Sequence, residues 1–256
     1  MDLHATYINL PHRTDRNERM KAELSKSGIE ANRIDGMLPS EVDVPSHKTM
    51  VMQNRTPGAI GCHYSQVRCM SAALNVDKHA LVMEDDLVFC SDFQERLAYI
   101  DKFCQTHEWD VIWLGATFHV PAQWHRNVNG FHTHPDLKMC RCDVGKDVRT
   151  TDDPRMVQTF GCWSTYAYIV NKDSIAKILQ MLDENVSISM GIDWLFILLQ
   201  PQLKTFSFVP GCVKQYDNQS DIGKGVTVFS AFANLGPYWW ADRMTDFNPQ
   251  SFNFNR

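Results

Sequence analysis

Three acidic residues stand together at Glu84-Asp85-Asp86, directly behind the apolar run Ala80-Leu81-Val82-Met83. A short continuous apolar run is what a strand buried on both faces of a parallel sheet requires. Carboxylates at the end of such a strand lie where open α/β sheets collect their ligands. Side by side they repel one another unless a cation neutralises them. An all-oxygen set suits a hard divalent ion, Mg²⁺ or Mn²⁺, whose shell is completed by water and substrate phosphates. A diphosphate-bearing substrate follows from that chemistry. The competing reading is an acidic turn that caps the next helix, where the helix dipole favours negative charge. A second cluster, His125, His132, His134, Cys140 and Cys142, carries imidazole and thiol groups that suit zinc. Its spacing matches no standard finger, so polar loop residues are the simpler account.

The elements around the triplet alternate. Thr6 to Leu10 reads as a strand bounded by Pro11, and Asp15 to Ser27 as a helix stopped by Gly28. Ile29 to Ile34 returns as a strand closed by the turn signal Asp35-Gly36. A longer helix opens with Thr56 as cap and Pro57 at its first position. Ile60, Tyr64, Val67, Met70 and Leu74 recur along it at helical spacing, a stripe expected to face the sheet. Asp110 to Leu114 reads as a second interior parallel strand. From Thr117 to Thr159 the pattern gives way to a long irregular stretch, expected to be a functional loop or insertion on the acceptor side. Order resumes with Tyr166 to Val170, then a helix capped by Asn171 with Ile175, Ile178, Leu179 and Leu182 on one face. Asp193 to Gln200 reads as a short buried helix ended before Pro201, and Thr205 to Val209 as a further strand. After Val209 the chain turns polar and irregular. The alternation argues for one α/β domain over 1–256 with a mostly parallel sheet.

Composition narrows the function classes. The 256 residues are 44% hydrophobic and 21% charged, a globular balance that excludes disorder and small disulfide scaffolds. A net charge of −5 gives no basic surface for phosphate backbones, so nucleic acid is not the expected partner. No apolar run approaches the ~18 residues of a membrane span. The amino terminus enters a strand without a secretory leader, and the 8 cysteines are dispersed, so reduced thiols in the cytoplasm are expected.

Several segments in order resemble glycosyltransferase family 25: Tyr7-Ile8-Asn9-Leu10-Pro11-His12-Arg13-Thr14-Asp15-Arg16, Gly58-Ala59-Ile60-Gly61-Cys62-His63-Tyr64-Ser65 and Leu81-Val82-Met83-Glu84-Asp85-Asp86. The similarity continues through Asp110 to Gly115 and Ala167 to Val170 as far as Ile192-Asp193. That family includes enzymes of bacterial lipooligosaccharide synthesis, collagen galactosylation and large-virus glycans. The resemblance implies a GT-A-like, Rossmann-type fold that binds a nucleotide sugar, with UDP-hexose the expected donor, and that transfers the sugar with inversion. It implies Asp86 as metal ligand, with Glu84 or Asp85 binding the ion through water or holding the ribose. Asn9, Arg13 and Arg16 would line the nucleotide pocket, where a guanidinium can clamp phosphate or stack on a base. A solvated helix start is the alternative for the arginines. Gly58 and Gly61 would let the helix start approach the donor, with Ser65 on the same helix. The family usually carries a Ser-His pair there, and in this chain Ser65 is followed by Gln66.

An inverting transfer needs a base for the acceptor hydroxyl. Asp193 is the candidate, since it opens a hydrophobic helix where a half-buried carboxylate is held rigidly; a helix cap is the alternative. Gln215, Gln219, Ser220 and Asp221 are similar to a late Gln and Ser-Asp pattern of the family, which makes Asp221 a further metal candidate and lets Lys224 face phosphate. Trp239-Trp240 would stack on a sugar ring or dock a terminal tail. Two other function classes share the acidic strand end: another metal-dependent nucleotide or phosphate enzyme, and a non-catalytic nucleotide-sugar binding module. The first lacks both an Asp-x-Asp nucleophile pair and a phosphate-cradling Gly-Lys-Ser/Thr loop; intact Asp86 and Asp193 argue against the second.

Overall fold

The computed structural model describes residues 1–41, 57–115, 148–160, 165–185, 191–208 and 211–215. Strand β1 (Leu3–Asn9) leads into helix α1 (Thr14–Ser27), which stops at Gly28 in the left-handed region, φ 69°. The Gly28 amide closes on the carbonyls of Leu24 and Ser25, satisfying groups that the helix end would otherwise orphan. β2 (Asn32–Asp35) pairs parallel on one side of β1. After helix α2 (Pro57–Ala72), β3 (His79–Glu84) pairs parallel on the other side. Leaving β1 in both directions opens a crevice beyond its carboxyl end, the position at which such sheets bind ligands.

The chain continues through β4 (Leu87–Phe89), α3 (Phe93–Thr106), β5 (Val111–Trp113), β6 (Val148–Thr150), β7 (Met156–Thr159) and β8 (Ala167–Val170). A 3-10 turn at 172–174, capped by the Asn171 side chain, precedes α4 (Ile175–Asn185), α5 (Ile192–Leu199), β9 (Thr205–Phe208) and β10 (Val213–Gln215). The main sheet has 8 strands in the order β2-β1-β3-β8-β5-β9-β7-β6. Its pairings make β2, β1, β3, β5, β9 and β6 run one way and β8 and β7 the other. The result is the expected α/β architecture, mostly parallel in direction. β3 and β5 run parallel as expected but flank the reversed β8 rather than each other.

Side chains along each central strand alternate between two cores. Leu81, Met83, Ile112 and Ile169 pack with α1 and α3 through Met20, Leu24, Phe93 and Ile100. Ala80, Val82, Trp113 and Tyr168 pack with α2, α4 and α5 through Met70, Ile178, Leu182 and Phe196. Helices therefore cover both faces, as a sheet apolar on both sides demands.

Three expectations need correction. Of the expected sheet-facing stripe of α2, Met70 is buried and Val67 packs against the core, whereas Leu74 lies beyond the helix and is 48% exposed. The stripe also omitted Ser65, Gln66 and Cys69, which are buried; Ser65 and Gln66 turn inward because polar partners from other elements receive them. The stretch from 117 to 159, expected to be irregular, ends in β6 and β7, paired antiparallel on the far edge of the sheet. The segment after Val209 forms β10, which pairs antiparallel with β4 directly behind the acidic triplet.

Candidate active site

Asn9 ends β1 and Glu84 ends β3, and the two strands are neighbours in parallel register. β8 runs the opposite way, so its start lies at that same edge, with the Glu84 amide donating to the Tyr166 carbonyl at 2.8 Å. Three segments remote in sequence thus converge at one end of the sheet.

The crevice between β1 and β3 is bridged by Asn9, whose amide donates to Asp85 Oδ2 at 2.6 Å and to the Arg13 carbonyl at 3.0 Å. Arg16, on the first turns of α1, donates to Asp85 Oδ1 at 2.9 Å and approaches Asp86 Oδ2 at 3.7 Å. Asp85 is 6% exposed and Arg16 7%, so this is a buried, hydrogen-bonded ion pair rather than a surface contact. The expectation that a cation must neutralise all three acids is corrected for Asp85, which the protein neutralises itself. Among the described residues no donor reaches the buried Asn9 Oδ1.

Glu84 and Asp86 have different surroundings. Gln66 Nε2 donates to Glu84 Oε1 at 3.3 Å, and Gln215 Nε2 is shared between Glu84 Oε2 and Asp86 Oδ1, each at 3.2 Å. Burial first, then the charges of Asp86, Asp193 and Asp85, push the Glu84 carboxyl well above the usual range, and Arg16 opposes the shift without cancelling it. The Cys62 thiol, on α2, is likewise pushed up by burial and by Glu84, Asp193 and Asp86. The charge of Asp193 thus acts on both groups, together with that of the acidic triplet.

Asp193 occupies the first turn of α5. Its Oδ1 accepts from the Thr165 amide and the Thr165 hydroxyl, both at 2.8 Å. Two donors meeting on one oxygen hold that side of the carboxylate in place and leave Oδ2 outside this pair of bonds. Thr165 in turn offers its carbonyl to Gln66 Nε2 at 3.0 Å. Gln66 is fully buried, and its Oε1 accepts from the Tyr168 hydroxyl at 2.8 Å. Burial pushes the Tyr168 phenol well above its ordinary value, which keeps it a donor.

The remaining candidates lie elsewhere. Arg13 is bonded to Asp15 through Nε at 3.0 Å and Nη2 at 2.9 Å, on the exposed side of the α1 start; that pairing holds the Asp15 carboxyl well below its usual range. Ser65 donates to the Gly61 carbonyl at 2.6 Å and accepts from the Met37 amide at 2.8 Å. It joins α2 to the segment after β2, and Gly61 contributes a carbonyl to that link. Asp221, Lys224, Trp239, Trp240 and the cluster from His125 to Cys142 lie outside the described residues. Thr165 and Tyr168 gave no chemical signal in the sequence. Gln66 gave one, a lone amide amid the apolar positions of a helix, which is buried only when partners from other elements await it.

Gly115 explains how close the parts stand. A Cβ there would lie 2.5 Å from the Tyr166 ring and 2.7 Å from the Val213 carbonyl, so glycine is what lets β10 reach the cluster with Gln215.

Among the described residues no helix is long and apolar enough to cross a membrane, and no group of three His, Cys, Asp or Glu side chains closes into a metal site. Residues 3–196 match the family profile described as "Glycosyltransferase family 25 (LPS biosynthesis protein)". A relative from Acanthamoeba polyphaga mimivirus, named "Procollagen lysyl hydroxylase and glycosyltransferase", is 32% identical over 42% of this chain. The matched part is 14% of that protein's length. The family match runs from β1 through the acidic triplet to Asp193, the elements that build the cluster, and on that extent the chain belongs to glycosyltransferase family 25.

Proposed function

We propose that this protein is a glycosyltransferase that moves a hexose from a UDP-sugar to a hydroxyl of a glycan or other acceptor, with inversion. The observation that carries the reading is that Glu84, at the carboxyl end of β3, is tied to Asp86 through Gln215 and to Asp193 through Gln66 and Thr165. Such surplus negative charge at a ligand crevice suits a site completed by a cation and its diphosphate. The residues present fit a hard divalent ion, Mn²⁺ or Mg²⁺: Asp86 and Glu84 offer only oxygen donors, and they are close enough together to share one amide of Gln215. When bound, the ion would offset charge on the departing diphosphate.

The chain's own residues do the rest. Thr165 orients Asp193 so that its carboxylate takes the proton of the acceptor hydroxyl as the oxygen attacks the anomeric carbon. Arg16 holds Asp85, leaving Asp86 and Glu84 to face the donor. The buried Asn9 Oδ1 is an acceptor suited to a donor N–H or hydroxyl. Arg13, Gly61 and Ser65 would shape the nucleotide side.

The test is release of nucleoside diphosphate from a panel of UDP-, GDP- and CMP-sugars, with Mn²⁺ and with chelator, for the native protein and Asp86→Ala. Acceptors should include free sugars and a hydroxylysine-containing peptide, the latter suggested by the relative's name. Metal-dependent release from one donor, absent in the variant, is the expected outcome. No release and no donor-induced thermal shift would sink the transferase reading in favour of another phosphate enzyme or a binding module.

A further inference from the structure

We propose that Gln66 is a positioning residue which locks the metal-side carboxylate Glu84 and the base Asp193 into one hydrogen-bonded unit; this rests on the transferase reading above. Gln66 Nε2 has two hydrogens and two acceptors, Thr165 O at 3.0 Å and Glu84 Oε1 at 3.3 Å. Its Oε1 accepts from the Tyr168 hydroxyl at 2.8 Å. Tyr168 is fully buried and donates to Oε1 while the Thr165 carbonyl, which can only accept, takes Nε2, and together they aim the NH₂ at Glu84. Reversed, the amide would set its oxygen against a carboxylate.

The other end of the unit is Thr165, 2% exposed. Its carbonyl is held by Gln66 while its amide and hydroxyl hold Asp193 Oδ1. The connection therefore runs Tyr168, Gln66, then to Glu84 on one branch and through Thr165 to Asp193 on the other. Glu84 continues to Asp86 through Gln215. A neutral amide suits this place because a carboxylate there would add charge to an already repelling cluster, and an apolar side chain would leave buried acceptors unsatisfied. The separation between the group that faces the donor and the group that faces the acceptor is set by this bridge, and small errors in that separation translate into large losses of rate.

The experiment combines Gln66→Met, Tyr168→Phe and the double variant, with thermal unfolding, steady-state kinetics and amide hydrogen exchange at Thr165. Tyr168→Phe removes one oxygen and guards against a Gln66 variant that fails to fold. Expected are a roughly 10-fold or greater fall in kcat for each single variant with donor KM within about 3-fold, and a double variant no slower than Gln66→Met. Thr165 exchange should rise at least roughly 10-fold in both single variants. Multiplicative kinetic losses, or unchanged exchange at Thr165, would overturn the proposal. If the native protein turns over no nucleotide sugar, the transferase reading fails by itself, and the exchange arm still decides whether Gln66 holds Thr165.

Discussion

At the scale of single residues, the site separates paired charge from stressed charge. Arg16 and Asp85 are buried against each other, Arg16 donating to one carboxylate oxygen and Asn9 to the other. Removing one partner of such a pair strands the other, at about 3–5 kcal/mol. Arg16→Met should therefore lower the unfolding free energy by that much, read as a lower denaturant midpoint at unchanged m-value, and Arg16→Lys should recover only part, because the ammonium lacks the planar fork. Glu84 behaves oppositely. Its carboxyl is held above the ordinary range by burial and by Asp86, Asp193 and Asp85, so the folded state binds this proton more tightly than the unfolded state. Its contribution is favourable below the unfolded value near ~4.3 and is lost as pH rises through the folded one. Glu84→Gln should flatten that loss and raise the metal-free Tm at neutral pH by roughly 2–4 °C, at the expense of turnover. A Tm that falls instead would show that the stress has been misassigned. Asp193→Asn retains an oxygen for the two Thr165 donors while removing the base, so we expect kcat to drop by roughly 10²–10⁴ with Tm unchanged.

At the scale of elements, Gly28 and Gly115 are glycine for different reasons, one of backbone conformation and one of space. Gly28 ends α1 at φ 69°, and a Cβ there would meet only the Gln94 side chain at 3.4 Å. Gly28→Ala should thus cost about 1 kcal/mol from the backbone alone and leave turnover intact. At Gly115 the obstacle is space, with backbone and aromatic atoms under 3 Å away. Gly115→Ala must displace β10 or Tyr166, and with them Gln215 and the residue next to Thr165. Both Tm and kcat are expected to fall, and a variant as stable and active as the parent would refute the close approach. α2 was the element whose inner face the periodicity captured only in part. Hydrophobic spacing locates a core, and the inner face of α2 is only half core: its other half buries Ser65 and Gln66 against polar partners. Local rules fail where function places polar groups inside.

At the scale of the molecule, the cluster joins parts of the chain that only the sheet brings together. Gln66 and Thr165 are 99 residues apart, Asn9 and Asp85 76, and Gln215 and Glu84 131. A divalent ion with UDP should stabilise the whole domain by mass action, about 2.7 kcal/mol at 100 times Kd. Differential scanning with Mn²⁺ and UDP should show an increase of several degrees that chelator abolishes and Asp86→Ala lacks.

The alternation of strand and helix was legible because β1, α1, β3, α4 and β9 carry their periods locally, with Gly28 and Asn171 as stop and start signals. So were the carboxylates themselves, Glu84, Asp85, Asp86 and Asp193, since residue type and a preceding or following apolar run are properties of the chain alone. The three-residue strands β4 and β10 were not, because segments so short have no period and exist only by pairing with each other. Nor could the sequence say which acid is neutralised. That was decided by the sheet, which sets β1 beside β3 and so delivers Arg16 to Asp85 while leaving Glu84 to share its surroundings with Asp86 and Asp193. Charge pairing depends on distances of a few ångströms between elements, and those distances come into being only when the strands take their places.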